Sequence, residues 1–122
     1  MSALIITEEE LALVKSYVLL PMVLTVLDRD AKLIANAGLL RSPEPYVDAI
    51  TNAMNRVSED LRDVRRQFRS RGIKVFEEVR EVKSVNVRYL CRGYEHSMTL
   101  LWELVGKDVK ERIREYFGLT RE

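Results

Sequence analysis

Val47, Ile50, Met54, Val57, Leu61, Val64 and Phe68 follow one another at spacings of 3, 4, 3, 4, 3 and 4 residues. A stripe of this kind, held for three heptads, specifies one long helix with an apolar seam. The other faces are polar, with Asp48, Asn52, Asn55, Arg56, Glu59, Arg62, Asp63 and Arg66. The spacing predicts a helix over residues 44 to 70, entered through Ser42-Pro43 as cap and first position and ended by Gly72. Such a helix is about 40 Å long at 1.5 Å per residue. A compact chain of 122 residues has a diameter of about 35 Å. The helix therefore reaches across the body, which favours an elongated bundle or a dimer over a sphere. The stripe itself is either the core face of an intramolecular bundle or, through Val47, Ile50, Met54, Val57, Leu61 and Val64, a self-association surface.

Upstream, Thr7 with Glu8, Glu9 and Glu10 reads as a capping box, and three acids suit the positive end of a helix dipole. The helix that follows is expected from Glu8 to Leu27. It is apolar nearly all round after Tyr17, which predicts a central place in the core. Pro21 inside it removes the hydrogen bond to the carbonyl of Tyr17 and predicts a kink. The apolar run from Tyr17 to Leu27 covers about 16 Å as helix, half of a hydrocarbon core, so it reads as a buried helix and not a membrane span. Asp28 or Asp30 can cap a short second helix that ends at Gly38.

Downstream, residues 73 to 87 are two-faced. Val85-Asn86-Val87-Arg88-Tyr89 alternates as a strand does, and Ile73-Lys74-Val75 begins to. Val75, Val79 and Val82 also fit a helical stripe. The β-branched residues and the charges between Glu77 and Lys83 favour a short exposed β-hairpin, although no Asn-Gly or Asp-Gly marks its turn. From residue 86 or 88 a further helix is expected, with Leu90, Tyr94, Met98, Leu101 and Val105 inward, Gly93 inside and Gly106 as its end. Asp108 with Glu111 reads as a second capping box. It opens a last helix with Val109, Ile113 and Phe117 inward and Gly118 as its stop.

The charge balance adds a functional clue. Twenty Lys and Arg against nineteen Asp and Glu give +1, which argues against a protein that coats polyanions. The balance is uneven along the chain: residues 1–55 carry −3, residues 56–92 carry +5 and residues 93–122 carry −1. Arg62, Arg65, Arg66, Arg69, Arg71 and Lys74 crowd the end of the long helix. Part of this is ordinary helix chemistry, because cations suit a helix C-terminus and Asp63 and Glu59 can pair with Arg66 and Arg62. The remainder is a candidate contact for an acidic protein surface or for DNA. No helix-turn-helix with a legible recognition helix accompanies it.

Signals for chemistry are sparse. One Cys and one His leave no disulfide framework and no Cys/His zinc site within a single chain. His96 is the one imidazole. Cys91 lies five residues before it, which is not one helical face, so a Cys–His dyad is not expected. No Glu-x-x-His, Walker, G-x-G-x-x-G, H-E-x-x-H or G-x-S-x-G motif occurs. The expectation is a non-enzymatic chain without metal, cofactor or small-molecule substrate; a small enzyme using His96 is the minor alternative. An acidic N-terminus without a basic n-region is not a secretory signal, which points to a cytoplasmic protein with a reduced Cys91.

Several short stretches carry a resemblance. They are Tyr17-Val18-Leu19-Leu20-Pro21-Met22-Val23-Leu24, Leu27-Asp28-Arg29-Asp30, Pro45-Tyr46, Arg71-Gly72-Ile73-Lys74-Val75 and Arg92-Gly93-Tyr94-Glu95. In this order they are similar to the YhjD-like group, small uncharacterised proteins of spore-forming Firmicutes. The resemblance implies a bacterial or phage-related cytoplasmic protein. It brings no activity or site residue with it.

The sequence thus predicts one mainly α domain over residues 1–122. The expected architecture is an elongated bundle of four to five helices with a possible β-hairpin near 73–87. The expected role is that of an interaction or regulatory protein, as a homodimer, with a DNA-binding regulator using Arg62 to Lys74 as the rival.

Overall fold

The computed structural model of the chain describes residues 5 to 119. It contains three helices and a three-stranded sheet. These are α1 (Glu8–Asn36), α2 (Glu44–Arg71), β1 (Ile73–Arg80), β2 (Ser84–Cys91), β3 (Tyr94–Leu101) and α3 (Trp102–Tyr116). The fold is α+β, so the expected bundle of four to five helices is corrected. The sheet is an antiparallel meander in the order β1-β2-β3.

α1 starts as the sequence predicts. The Thr7 hydroxyl accepts the amide proton of Glu10 at 3.1 Å, and the Glu10 carboxylate accepts that of Thr7 at 3.1 Å. The helix then runs unbroken through Pro21 and through Asp28-Arg29-Asp30 to Asn36. The separate short helix expected after Leu27 does not exist. Asp28 caps nothing and instead pairs with Lys32 one turn on, at 2.8 Å, a helix-supporting contact. Val14, Val18, Leu19, Leu20, Val23 and Leu27 are all buried, and their directions cover most of the helix circumference. By length and mean hydropathy α1 is apolar enough to cross a membrane, but here those side chains are inside the protein.

α2 carries the heptad stripe. Ile50, Ala53, Val57, Leu61, Val64 and Phe68 are buried, with Val47 and Met54 partly so. The two long helices form an antiparallel hairpin, in which the Tyr17 and Phe68 rings meet at 4.9 Å. Gly72 ends α2 in the left-handed conformation, φ 70°, a backbone state that glycine adopts without steric cost.

The largest correction concerns residues 86 to 105. Leu90, Tyr94, Met98 and Leu101 fit a helical stripe, yet they lie on strands. β2 buries Val85, Val87, Tyr89 and Cys91 on one face. Across β2–β3 the register pairs Tyr89 with His96, Val87 with Met98 and Val85 with Leu100, so the same sheet face continues on β3. Arg92 (φ 51°) and Gly93 (φ 87°) form the two-residue turn between these strands. Two consecutive positive φ values are the mark of the hairpin turn whose twist matches that of its strands. Gly93 is therefore a turn residue and not a weak point inside a helix. On β1, the register with β2 shifts between Val75 and Glu77, a bulge at Phe76.

α3 begins at Trp102, earlier than expected. The indole N–H donates to the Glu81 carbonyl at 2.7 Å and the backbone N–H to that of Lys83 at 3.0 Å, which ties the β1–β2 turn to the start of the helix. Gly106 and Asp108 lie inside α3, so neither ends nor caps a helix. Asp108 pairs with Lys15 of α1 at 3.2 Å and with Arg112. Burial opposes its charge, but these two cations outweigh it and hold the carboxyl below its ordinary range.

Two glycines thus behave oppositely. A Cβ on Gly72 would meet Arg92 Cγ at 3.4 Å in a left-handed backbone, whereas a Cβ on Gly106 would meet nothing within 4 Å. In urea unfolding, Gly72→Ala should lose about 1–2 kcal/mol, and Gly106→Ala should gain about 0.5–1 kcal/mol.

Candidate interaction surface

The core face of α2 is covered, and this decides what its other face can do. Ile50, Val57, Leu61 and Val64 belong to the same buried core as Leu13, Val14 and Val23 of α1. The stripe singled out as a self-association surface is therefore packed within its own chain. On the opposite side of α2, Arg62, Arg65, Arg66 and Arg69 are exposed at spacings of 3, 1 and 3 residues, which places them on one helical face. Arg66 pairs with Asp63 at 2.8 Å. Among the described residues, the side chains of Arg62, Arg65 and Arg69 make no ion pair or hydrogen bond, and neither does that of Lys74, the second residue of β1. Four cations thus stand without counter-charges at this end of the molecule.

Arg71 departs from this set. It is drawn across to the start of α1, where it meets Glu9 at 2.9 Å and Glu10 at 3.6 Å. Glu10 is 3% exposed. A buried carboxylate needs both charge and hydrogen bonds to compensate for lost water. Arg92 supplies them in a forked contact, at 2.7 and 3.1 Å. Arg92 also donates to the carbonyls of Ile5 at 2.9 Å and Arg71 at 3.2 Å, and its backbone N–H donates to the Gly72 carbonyl at 2.8 Å. The Arg92 hydrogen bond is the largest influence on Glu10. It outweighs burial and, with the Thr7 amide and the two guanidinium charges, holds the carboxyl at about 2. The cluster ties the α1 N-terminus, the α2 C-terminus and the β2–β3 turn at one point.

Sequence reasoning found the capping box but missed this cluster. The available signal was the pair of Arg-Gly dipeptides, 71–72 and 92–93, which the fold brings together. Each glycine makes a left-handed turn, and each arginine turns toward Glu10.

His96 is on the helix-facing side of β3 and not on a helix. Its ring stacks on Tyr89, centroids 5.5 Å apart, and its Nε2 is buried without a hydrogen-bond partner. Arg88 is on the outer face of the sheet, held by Glu95 at 2.7 Å and Glu77 at 3.2 Å with the Phe76 ring at 5.1 Å. Cys91 pairs with Tyr94 and His96 with Tyr89, so the thiol and the imidazole are diagonal neighbours and not a bonded pair. Burial of Cys91 first, then the Glu10 charge, push its thiol up, away from the thiolate that nucleophilic work requires. Among the described residues no group of three or more His, Cys, Asp and Glu side chains is placed to hold a metal ion.

The YhjD protein family matches residues 5–121. The chain belongs to that family. It is also similar to a protein of Bacillus subtilis (strain 168) named "Uncharacterized protein YhjD", 27% identical over 109 residues, which is 89% of this chain and 90% of the relative. No solved structure matches significantly. The family assignment agrees with the short stretches quoted above, and two of those stretches contain the arginines around Glu10.

The Glu10 cluster makes acid stability testable. A carboxyl at about 2 in the folded chain and 4.5 otherwise stabilises the fold fully above pH 4.5, and this contribution is lost as pH falls from 4.5 toward 2. Thermal unfolding should show that loss in the parent chain. Glu10→Gln should be about 1–3 kcal/mol less stable at pH 7 and should change less between pH 5 and 2.

Proposed function

We propose that this chain is a non-enzymatic interaction protein that engages an anionic partner through the exposed face of α2. One observation carries this reading: Arg62, Arg65 and Arg69 lie on one face of a packed helix, and among the described residues no acid pairs with them. Three guanidiniums held within about 11 Å on a packed helix are pre-organised for carboxylate or phosphate oxygens, because each presents a planar fork of donors. The opposite side of α2 is anchored in the core, so the face does not need to order itself on binding, and this lowers the entropic cost of the contact. An acidic protein surface fits this short row better than a duplex does, since among the described residues no helix-turn-helix pair accompanies it.

We further propose that the protein works as a homodimer joined at the tip of the α1–α2 hairpin. Residues 28 to 49 contain no buried side chain. Yet Leu33, Leu39, Leu40 and Tyr46 are exposed there by 43 to 86%. Apolar side chains gathered at a projecting end favour association.

Both parts are open to direct test. Fluorescence anisotropy with a labelled poly-glutamate peptide should show binding that weakens steeply with salt. Arg62→Glu/Arg65→Glu/Arg69→Glu should weaken it at least tenfold with little change in Tm, because these side chains hold no partner in the fold. Tight binding to duplex DNA with a steep salt slope, and none to the peptide, would move the reading to nucleic acid. Sedimentation velocity at micromolar concentration should show a dimer that Leu39→Asp/Leu40→Asp converts to monomer; a strict monomer in the parent chain contradicts the dimer.

A further inference from the structure

A cavity of about 280 Å3 lies where α1, α2 and β1 meet. Tyr17, Val18, Pro21 and Met22 form its α1 wall, Arg65 comes from α2, and Glu78 and Arg80 come from β1. Pockets for drug-sized molecules measure about 300–1,000 Å3, so an occupant of this one is smaller, of metabolite size.

The bulge at Phe76 makes the β1 side of this cavity. Ile73 and Val75 pair with Cys91 and Tyr89 and so face the helices. Regular alternation would bring Glu77 and Val79 to that side next. The bulge shifts the register instead, and Glu78 pairs with Val87 and Arg80 with Val85. Both valines are buried against the helices. Directly opposed residues share a sheet face, so Glu78 and Arg80 face inward while Val79 is turned out, 41% exposed. Packing alone favours the reverse, because valine is a core residue and glutamate and arginine are not. Bulges that re-aim side chains in this way recur beside active sites.

The charges brought in by the bulge are left unpaired. Among the described residues the side chains of Arg65, Glu78 and Arg80 make no ion pair or hydrogen bond, although opposite charges line one cavity. Arg80 meets the Trp102 ring, at 5.7 Å. Pro21 adds an acceptor, because it has no N–H to give to the Tyr17 carbonyl. The Thr25 hydroxyl, one turn on, donates to the Pro21 carbonyl at 3.0 Å. Two guanidiniums, a carboxylate and a helix carbonyl without its usual donor thus surround one space. Arg62 and Arg69 stand one turn to either side of Arg65, and Arg29 one turn past Thr25. Asp28, beside Arg29, is taken by Lys32. The surroundings therefore carry an excess of positive charge.

We propose that this cavity binds a free acidic amino acid. Its two carboxylates suit the guanidiniums of Arg65 and Arg80. Its ammonium group suits Glu78 and the Tyr17 carbonyl, and its short aliphatic stem suits Val18 and Met22. A plain anion would set its charge against Glu78 and leave the carbonyl unanswered, and a plain amine would do the same to the arginines. The site shares Arg65 with the α2 face proposed above, but it also needs Glu78, Arg80 and Pro21, which lie outside that face.

The test is isothermal titration calorimetry of the parent chain with four probes. They are L-glutamate, its oxo analogue without the ammonium group (2-oxoglutarate), L-leucine and inorganic phosphate. L-glutamate should bind saturably at one site, and the other three at least tenfold more weakly. Glu78→Gln and Arg80→Met should each weaken L-glutamate at least tenfold with little change in Tm, because neither side chain holds an ionic partner in the fold. Pro21→Ala returns an N–H to the Tyr17 carbonyl, so it should weaken binding while the Tm stays equal or rises. Arg62→Gln/Arg69→Gln should bind L-glutamate as the parent does, and Arg80→Met should bind the poly-glutamate peptide as the parent does, so the two proposals fail independently. No binding of L-glutamate at low salt, or binding indifferent to Glu78→Gln, overturns the proposal. Equal binding of 2-oxoglutarate or phosphate overturns it in favour of a plain anion site, and equal binding of L-leucine removes the acidic side chain from the reading.

Discussion

A single buried carboxylate joins three parts of this fold that are far apart in sequence. Glu10 completes the capping box of α1 and at the same time accepts the forked contact of Arg92. Through Arg71 it reaches the end of α2, and through the Arg92 backbone N–H the β2–β3 turn is bonded to Gly72. Charge-assisted bonds of this kind are among the stronger polar contacts available to a protein. Their removal is costly because a charge is then left without a partner in a place water does not reach. One helix start and two chain turns meet on one side chain, and this explains why the cluster is built from a capping glutamate and two Arg-Gly turns. The positive φ of Arg92 (51°) is uncommon for a residue other than glycine; the contacts of its side chain and backbone hold it there.

The clamp also determines which surfaces are left over. It fixes the sheet against one end of the helix hairpin, so α1 is enclosed at Leu13 to Leu27 while residues 28 to 49 extend beyond with no buried side chain. It removes Arg71 from the basic face of α2 and leaves Arg62, Arg65 and Arg69 pointing outward. On the other side α3 closes over α1 only in part, fastened by Asp108 and by Arg112, and a groove remains beyond that fastening. On the outer face of the sheet Arg88 is neutralised by Glu77 and Glu95.

Local signals in the sequence were reliable where the chain makes its own structure. The Thr7–Glu10 box, the stripe from Val47 to Phe68 and the Gly72 stop are each explained by residues within one helix of the feature they set. The α1 continuation past Leu27 was misjudged because two aspartates resemble a cap, although no glycine or proline follows until Gly38 and Lys32 is placed to pair with Asp28. Residues 88 to 105 misled for a deeper reason. Their apolar side chains satisfy a spacing of three and four as well as a spacing of two. What settles the choice is the register with β1 and the burial of Val85, Val87, Tyr89 and Cys91 against the helices, and both are long-range facts. Arg92-Gly93 is a turn without the usual Asn or Asp, so the hairpin lacked its ordinary mark. The candidate surface was legible as a run of arginines, but which of them remain unpaired depended on where Glu9 and Glu10 came to rest.

The dependence of the fold on Glu10 and Arg92 is best measured by a double-mutant cycle in urea unfolding, with Glu10→Gln, Arg92→Met and the pair. A coupling energy of about 2–4 kcal/mol is predicted, in the range found for desolvated charge pairs. Additive losses, with coupling under about 0.5 kcal/mol, would contradict the account, because the two side chains would then be neighbours and not a clamp.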